Sequence, residues 1–343
     1  MDKQKLIKTL SALLLTGVAV FFLCFYETAD KPQQYFINQG HIFGTYYNIR
    51  YEAERDLEAE LLKTLNAVDA SLSAFNTEST ISHINNNISM QTDSMFEVVF
   101  AQARQVSALT NGCFDITVAP LVNLWGFGFK NDIEISDAAI DSIMPFVGYD
   151  KVQLTDHHII KSDPRQMLDA SAIAKGFGCD MAAACLRQHG CTNLLVDIGG
   201  EVVAQGRNNA GDTWRVGIST PEDDPDGGNH DISQIVSADK LAMATSGNYR
   251  RFYYDNGIRR SHTIDPHTGY PVNHTLLSAT VIAPTCAEAD ALATACMVMG
   301  AEQALKLIES LPHTEAYLIS SIDDKYVVET TSGMKKFACS KEK

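Results

Sequence analysis

Pro284 is followed by Thr285-Cys286-Ala287-Glu288, a pattern that predicts a helix capped by Thr285 with Glu288 at its third position. Asp290 and Thr294 then fall four residues apart on one helical face, where a carboxylate and a hydroxyl offer two hard oxygen ligands to Mg²⁺ or Ca²⁺. Their neighbours Ala289, Ala291, Leu292, Ala293 and Ala295 are apolar, and a carboxylate in such company calls for a positive partner. Spacing alone leaves a plainer alternative open, a surface Asp helped by the helix dipole and a Thr bonded back to its own helix.

Three other stretches carry residue types suited to chemistry. Asp169-Ala170-Ser171-Ala172-Ile173-Ala174-Lys175-Gly176-Phe177-Gly178 enters a helix through small residues that let backbone groups approach a ligand, with Lys175 placed to meet a phosphate. The glycine spacing is wrong for a Walker loop, and on spacing alone a tight helix contact is the better account. Between Gly112 and Gly128 lies an aromatic-glycine run with Phe114, Asp115, Trp125 and Phe127, able to line a pocket for a flat ring or simply to form core. Ser261 to Pro271 sets His262, Asp265 and His267 on a turn-rich loop, suited to acid–base work or to a surface turn with satisfied polar groups.

These residues need elements to hold them. Alternation predicts a strand over 46–51, and helical spacing of Leu57, Leu61, Leu62, Leu65, Val68 and Leu72 predicts a helix over 56–72. Further helices are expected over 97–109 (stopped by Asn111-Gly112), 140–147, 181–189 and 287–299. Strands are expected over 194–198, 202–205, 214–219, 242–245, 251–254 and 276–282, with Gly199-Gly200 as a turn and 220–231 as a loop. No regular βαβ alternation runs through this order, so the class expected is α+β in a single domain.

The chain has 343 residues, with 27 Lys plus Arg against 42 Asp plus Glu and a formal charge of −15. Asp2, Lys3, Lys5 and Lys8 are the only charges in the first 24 residues, so the remainder holds −17. Such a body is a poor partner for nucleic acid, and any phosphate it holds needs a metal ion or a small local site. Lys3, Lys5 and Lys8 precede an uncharged apolar run over 10–26, which reads as a signal peptide or a membrane anchor. The lysines stay cytoplasmic, so the body is expected to be exported. Cys24 stands where a lipoprotein cysteine would, but Phe21, Phe22 and Leu23 precede it in place of a small residue, and lipidation and an uncleaved helix both stay open. Residues 27–40 read as a polar linker and 41–337 as the folded domain. None of the eight cysteines forms a C-x-x-C pair or a zinc-like cluster.

Singly these motifs are modest; their order is more specific. Phe43-Gly44-Thr45, the run from Phe114 to Gly128, Asp169 to Gly176, Ser246-Gly247-Asn248-Tyr249-Arg250-Arg251-Phe252, Ser261 to Gly269 and Asp290-Ala291-Leu292-Ala293-Thr294-Ala295 together resemble the ApbE family of FAD:protein FMN transferases. The resemblance runs from about Gln39 to Lys336. It implies a single T-fold-related α+β domain that binds FAD and Mg²⁺, cuts the pyrophosphate and releases AMP. FMN would pass to a threonine hydroxyl of exported subunits of Nqr- or Rnf-type redox complexes, with the enzyme tethered at the periplasmic face of the inner membrane.

Carried onto this sequence, the resemblance implies a metal site of Asp290, Thr294 and the backbone carbonyl of Ala172. It implies FAD contacts at Cys113, Phe114, Asp115, Asp169, Lys175 and Ile264. Phe43 stands where the family often has Met, Phe75 where an aromatic commonly meets the flavin, and Ala119 replaces the usual Gly before Pro120. A threonine hydroxyl is a weak acid and needs a proton acceptor, for which His262 is the choice, with Asp265 supporting it and His267 as rival. Two other readings use the same residues: a Mg²⁺-dependent FAD pyrophosphatase, and a non-catalytic exported FAD-binding protein.

Overall fold

Strands such as Leu194–Ile198 and Leu276–Ile282 carry apolar residues on both faces, which suits a sheet covered on both sides. The computed structural model describes residues 33–129, 134–221, 231–248, 252–255, 258–323 and 325–339. In chain order the strands are β1 (Gln34–Ile42), β2 (Thr45–Ala53), β3 (Val152–Thr155), β4 (His158–Lys161), β5 (Leu194–Ile198), β6 (Glu201–Gln205), β7 (Arg215–Ser219) and β8 (Ile232–Ser237). They continue with β9 (Lys240–Gly247), β10 (Phe252–Asp255), β11 (Ile258–Ser261), β12 (Leu276–Ile282), β13 (Glu315–Ile322), β14 (Lys325–Thr330) and β15 (Ala338–Cys339). The α-helices are α1 (Glu58–Leu72), α2 (Thr80–Asn85), α3 (Ser94–Leu109), α4 (Ala119–Leu124), α5 (Asp137–Ile143), α6 (Ala174–Gln188), α7 (Cys286–Met299) and α8 (Ala301–Glu309).

The main sheet runs β1-β2-β5-β6-β9-β12-β13-β14, antiparallel throughout. The period of two along each strand sorts side chains between its faces. Val203 and Ala244 face the helical layer, whereas Ala204 and Met243 pack with Trp214, Ile218 and Val236 under the β15-β8-β7 sheet. By the same alternation Glu201 at the head of β6 and Ser246 near the end of β9 point toward the helices. Helix α7 is apolar on nearly every side because it is buried among α6, β9 and β12. Thr285 Oγ1 caps it by accepting from Glu288 N at 3.2 Å, as the sequence predicts.

Several boundaries differ from expectation. Residues 34–40, assigned to the linker, belong to β1, which pairs with β2 from Gln34 opposite Ala53 to Ile42 opposite Thr45. Its polar, unalternating sequence suits an edge strand with little buried surface. Residues 1–26, and 27–32 of the expected linker, lie outside the described residues, as do 222–230 of the loop expected over 220–231. Among the described residues no helix is long and apolar enough to cross a membrane. Helix α6 begins at Ala174 rather than 181, and the helix expected over 140–147 is α5 followed by a 3₁₀ turn over Met144–Phe146. The C-terminal β15 extends past residue 337 and pairs with β8.

Candidate active site

Helices α6 and α7 cross where Gly176 meets the start of α7. A Cβ on Gly176 would lie 2.6 Å from the Cys286 carbonyl carbon, so only glycine permits this approach. The close crossing lets Gly176 N donate to Asp290 Oδ2 at 3.0 Å. That amide is the donor a helix would direct at the Ala172 carbonyl, and among the described residues the carbonyl is left open at the N-terminal end of α6. Asp180, one turn further along α6, accepts from Cys286 N at 3.0 Å and Ala287 N at 2.9 Å and locks the two helices together.

Asp290 is 2% exposed and therefore not the surface residue that spacing alone allowed. The Lys175 ammonium lies 3.7 Å from Asp290 Oδ1 and 3.0 Å from Glu201 Oε1. Burial raises the Asp290 carboxyl above its usual range, opposed by Lys175 and the Gly176 amide. Burial likewise pushes Glu201 up to about 7, against the pull of Lys175. For Lys175, burial disfavours the charge, but the Asp290 and Glu201 carboxylates outweigh it and hold the ammonium charged. Thr294, one turn beyond Asp290, has its Oγ1 3.0 Å from Ser246 Oγ. Phe43 has φ +52 in the turn joining β1 and β2, a strained setting for a bulky residue, and its ring reaches α6, where a Cβ on Gly178 would meet it at 2.5 Å.

A second group of expected residues forms a seam linked to the first through Asp169, whose amide donates to the Ile116 carbonyl at 2.7 Å. Asp169 Oδ1 accepts from Ser171 N at 2.8 Å and shapes the approach to α6. Phe114 is buried in the core, and the Asp115 carboxylate accepts from Thr117 N, Thr117 Oγ1 and Tyr149 N. Burial raises the Asp115 carboxyl, and it raises the half-buried Cys113 thiol as well. Ile264 packs its side chain with Leu121 and Trp125. The sequence sets Asp265 beside His262 as a support; its carboxylate braces the turn, taking His267 N at 2.9 Å and Thr268 Oγ1 at 3.0 Å, with His267 Nδ1 at 3.1 Å. The His267 Nε2 lies 2.8 Å from the Asn111 carbonyl, which ties this loop to the Cys113 segment. The His262 ring stands edge-on to Phe127, which also meets Tyr253. Phe75 is 67% exposed and its ring packs 5.3 Å from that of Phe129.

Comparison with known proteins decides how to read this arrangement. The model of the ApbE family matches residues 43–318. The chain belongs to the ApbE family. A relative in Haemophilus influenzae named FAD:protein FMN transferase is 33% identical over 347 residues, covering 96% of this chain and 99% of that protein. One of the same name in Vibrio cholerae is 33% identical over 334 residues, covering 94% of this chain and 96% of the other. The solved Vibrio cholerae flavin transferase ApbE superposes with a TM-score of 0.80 at 33% identity, covering 89% of this chain and all of that one. The apo flavinyl transferase ApbE of Pseudomonas stutzeri gives 0.79 at 29% identity, covering 89% and 96%.

In this ApbE chain the donor set fits a hard divalent cation. Two buried carboxylates share a single ammonium, which leaves the cluster short of positive charge, and the oxygens offered beside Asp290 are the Thr294 hydroxyl and the open Ala172 carbonyl. Glu201 and Phe129 escaped the sequence reading, which has Ser246 only as the first residue of a motif and gives it no role at the site. A glutamate heading the apolar run Glu201–Gln205 is the signal that exposes the first, since a charge on a strand buried on both faces needs a reason.

Proposed function

We propose that the protein transfers FMN from FAD to a threonine hydroxyl of an acceptor protein. The observation that carries this reading is the pair of buried carboxylates, Asp290 and Glu201, around the half-buried Lys175 at the α6–α7 crossing, in a chain of the ApbE family. Asp290, Thr294 and the Ala172 carbonyl would hold Mg²⁺, and what a bound divalent cation supplies is neutralisation of the pyrophosphate oxygens, which eases departure of AMP. Lys175, the cation of that cluster, supplies a fixed positive charge for the substrate's phosphates. The threonine oxygen attacks the phosphorus on the FMN side, a P–O bond to AMP breaks, and the hydroxyl proton passes to His262. Phe43, Phe75 and the edge-on Phe127 offer flat apolar surface to the isoalloxazine ring.

The acceptors in this reading are exported subunits of Nqr- or Rnf-type complexes, reached by a body tethered to the membrane through the N-terminal apolar run. Incubating the enzyme with FAD, Mg²⁺ and an acceptor domain should give an acceptor that fluoresces in a gel. Asp290→Ala should abolish the Mg²⁺-dependent label, and His262→Ala should keep FAD binding but lose transfer. Full labelling by either variant removes that residue from the mechanism. FMN released without acceptor would favour hydrolysis, and bound FAD without AMP release would favour a carrier.

A further inference from the structure

Glu201 is delivered to the site by a tight turn. Gly199 and Gly200 have φ +67 and +103, and a Cβ on Gly199 would lie 2.8 Å from Thr45, so the turn after β5 tolerates little besides glycine. The turn places Glu201 as the first residue of β6, 3% exposed, on the face toward α6. One carboxylate oxygen takes the Lys175 ammonium at 3.0 Å; the other is buried without a partner. The same ammonium stands 3.7 Å from Asp290 Oδ1, so two carboxylates compete for one lysine and Glu201 holds the shorter contact.

A lysine closed onto Asp290 would neutralise the oxygen a cation needs. We propose that Glu201 is a positioning residue that draws Lys175 away from Asp290 and so keeps Asp290 open to a divalent cation. The inference rests on Asp290 being a cation ligand, the reading given above. It assigns Glu201 no contact with the metal: it acts through Lys175. Removing the carboxylate charge frees the ammonium to close on Asp290, and removing the ammonium as well takes away the competitor.

The test is Mn²⁺ binding to the full chain without FAD or acceptor, followed by the loss of the free-ion EPR signal. Glu201→Gln should weaken Mn²⁺ binding about tenfold, the scale of one charge-assisted hydrogen bond. The double variant Glu201→Gln/Lys175→Met should recover affinity to at least the wild-type value, and Lys175→Met alone should tighten binding. Thermal melting of each variant reports whether it is folded, and Glu201→Asp is the conservative variant should Glu201→Gln fail to fold, expected to fall between wild type and Gln. Unchanged Mn²⁺ affinity in Glu201→Gln overturns the proposal. So does a weakened affinity that Lys175→Met fails to rescue, which would make Glu201 a ligand itself. A wild type that binds no Mn²⁺ removes the cation site and the proposal with it, a result distinct from normal binding that Glu201→Gln leaves untouched.

Discussion

At the residue scale, a glutamate at 3% exposure is costly unless its charge is answered, and Lys175 answers only one of its oxygens. Burial lifts its carboxyl from 4.5 to about 7, so between those pH values the folded chain holds a proton that the unfolded chain has released. This group's contribution to stability is therefore full below about pH 4.5 and is lost as pH rises to about 7. In metal-free protein, Glu201→Gln should therefore remove about 1–3 kcal/mol of stability loss between pH 5 and 7.5, read from urea unfolding at the two pH values. An identical pH slope in wild type and variant would show that Glu201 stays ionised throughout. The sequence made Asp290 and Thr294 legible because their spacing is helical and local. It hid Glu201 because its partner Lys175 comes from α6, 26 residues away, and a strand-opening residue after Gly-Gly looks like a turn.

At the element scale, the crossing of α6 and α7 depends on Gly176. Gly176→Ala drives a methyl group into the Cys286 backbone and displaces the amide that Asp290 Oδ2 accepts. Overpacking of this kind typically costs about 1–3 kcal/mol, and here it should also weaken Mn²⁺ binding, measured by denaturant unfolding and EPR on the same sample. Loss of stability with unchanged Mn²⁺ affinity would separate the crossing from the site. The glycines that make the contact also concealed it, since Gly176 and Gly178 are poor helix formers and pushed the expected start of α6 from Ala174 to 181. Strands β5 and β12 were legible to the residue because each is a short apolar run between turn signals. Strand β1 was not, because an edge strand with one paired side buries too little to need alternation, and β3 and β4, four residues each, are too short to show a period.

At the scale of the whole molecule, a formal charge of −15 opposes any anionic dinucleotide approaching the surface. The balance at the cluster is also negative, one ammonium against two carboxylates, until one of them is protonated or a cation arrives. Salt screens the long-range part first, because the Debye length shrinks from about 10 Å at 0.1 M to about 3 Å at 1 M, while contacts inside the site are nearly unscreened. The association rate of FAD should therefore rise with ionic strength, by about twofold or more between low and moderate salt, whereas uncharged riboflavin should show no such trend. Stopped-flow flavin fluorescence with Mg²⁺ held constant measures both. A FAD rate that falls with salt would mean that local cations such as Lys175 govern the field at the mouth of the site. The acidity of the body would then serve solubility and repulsion of other polyanions, not substrate encounter.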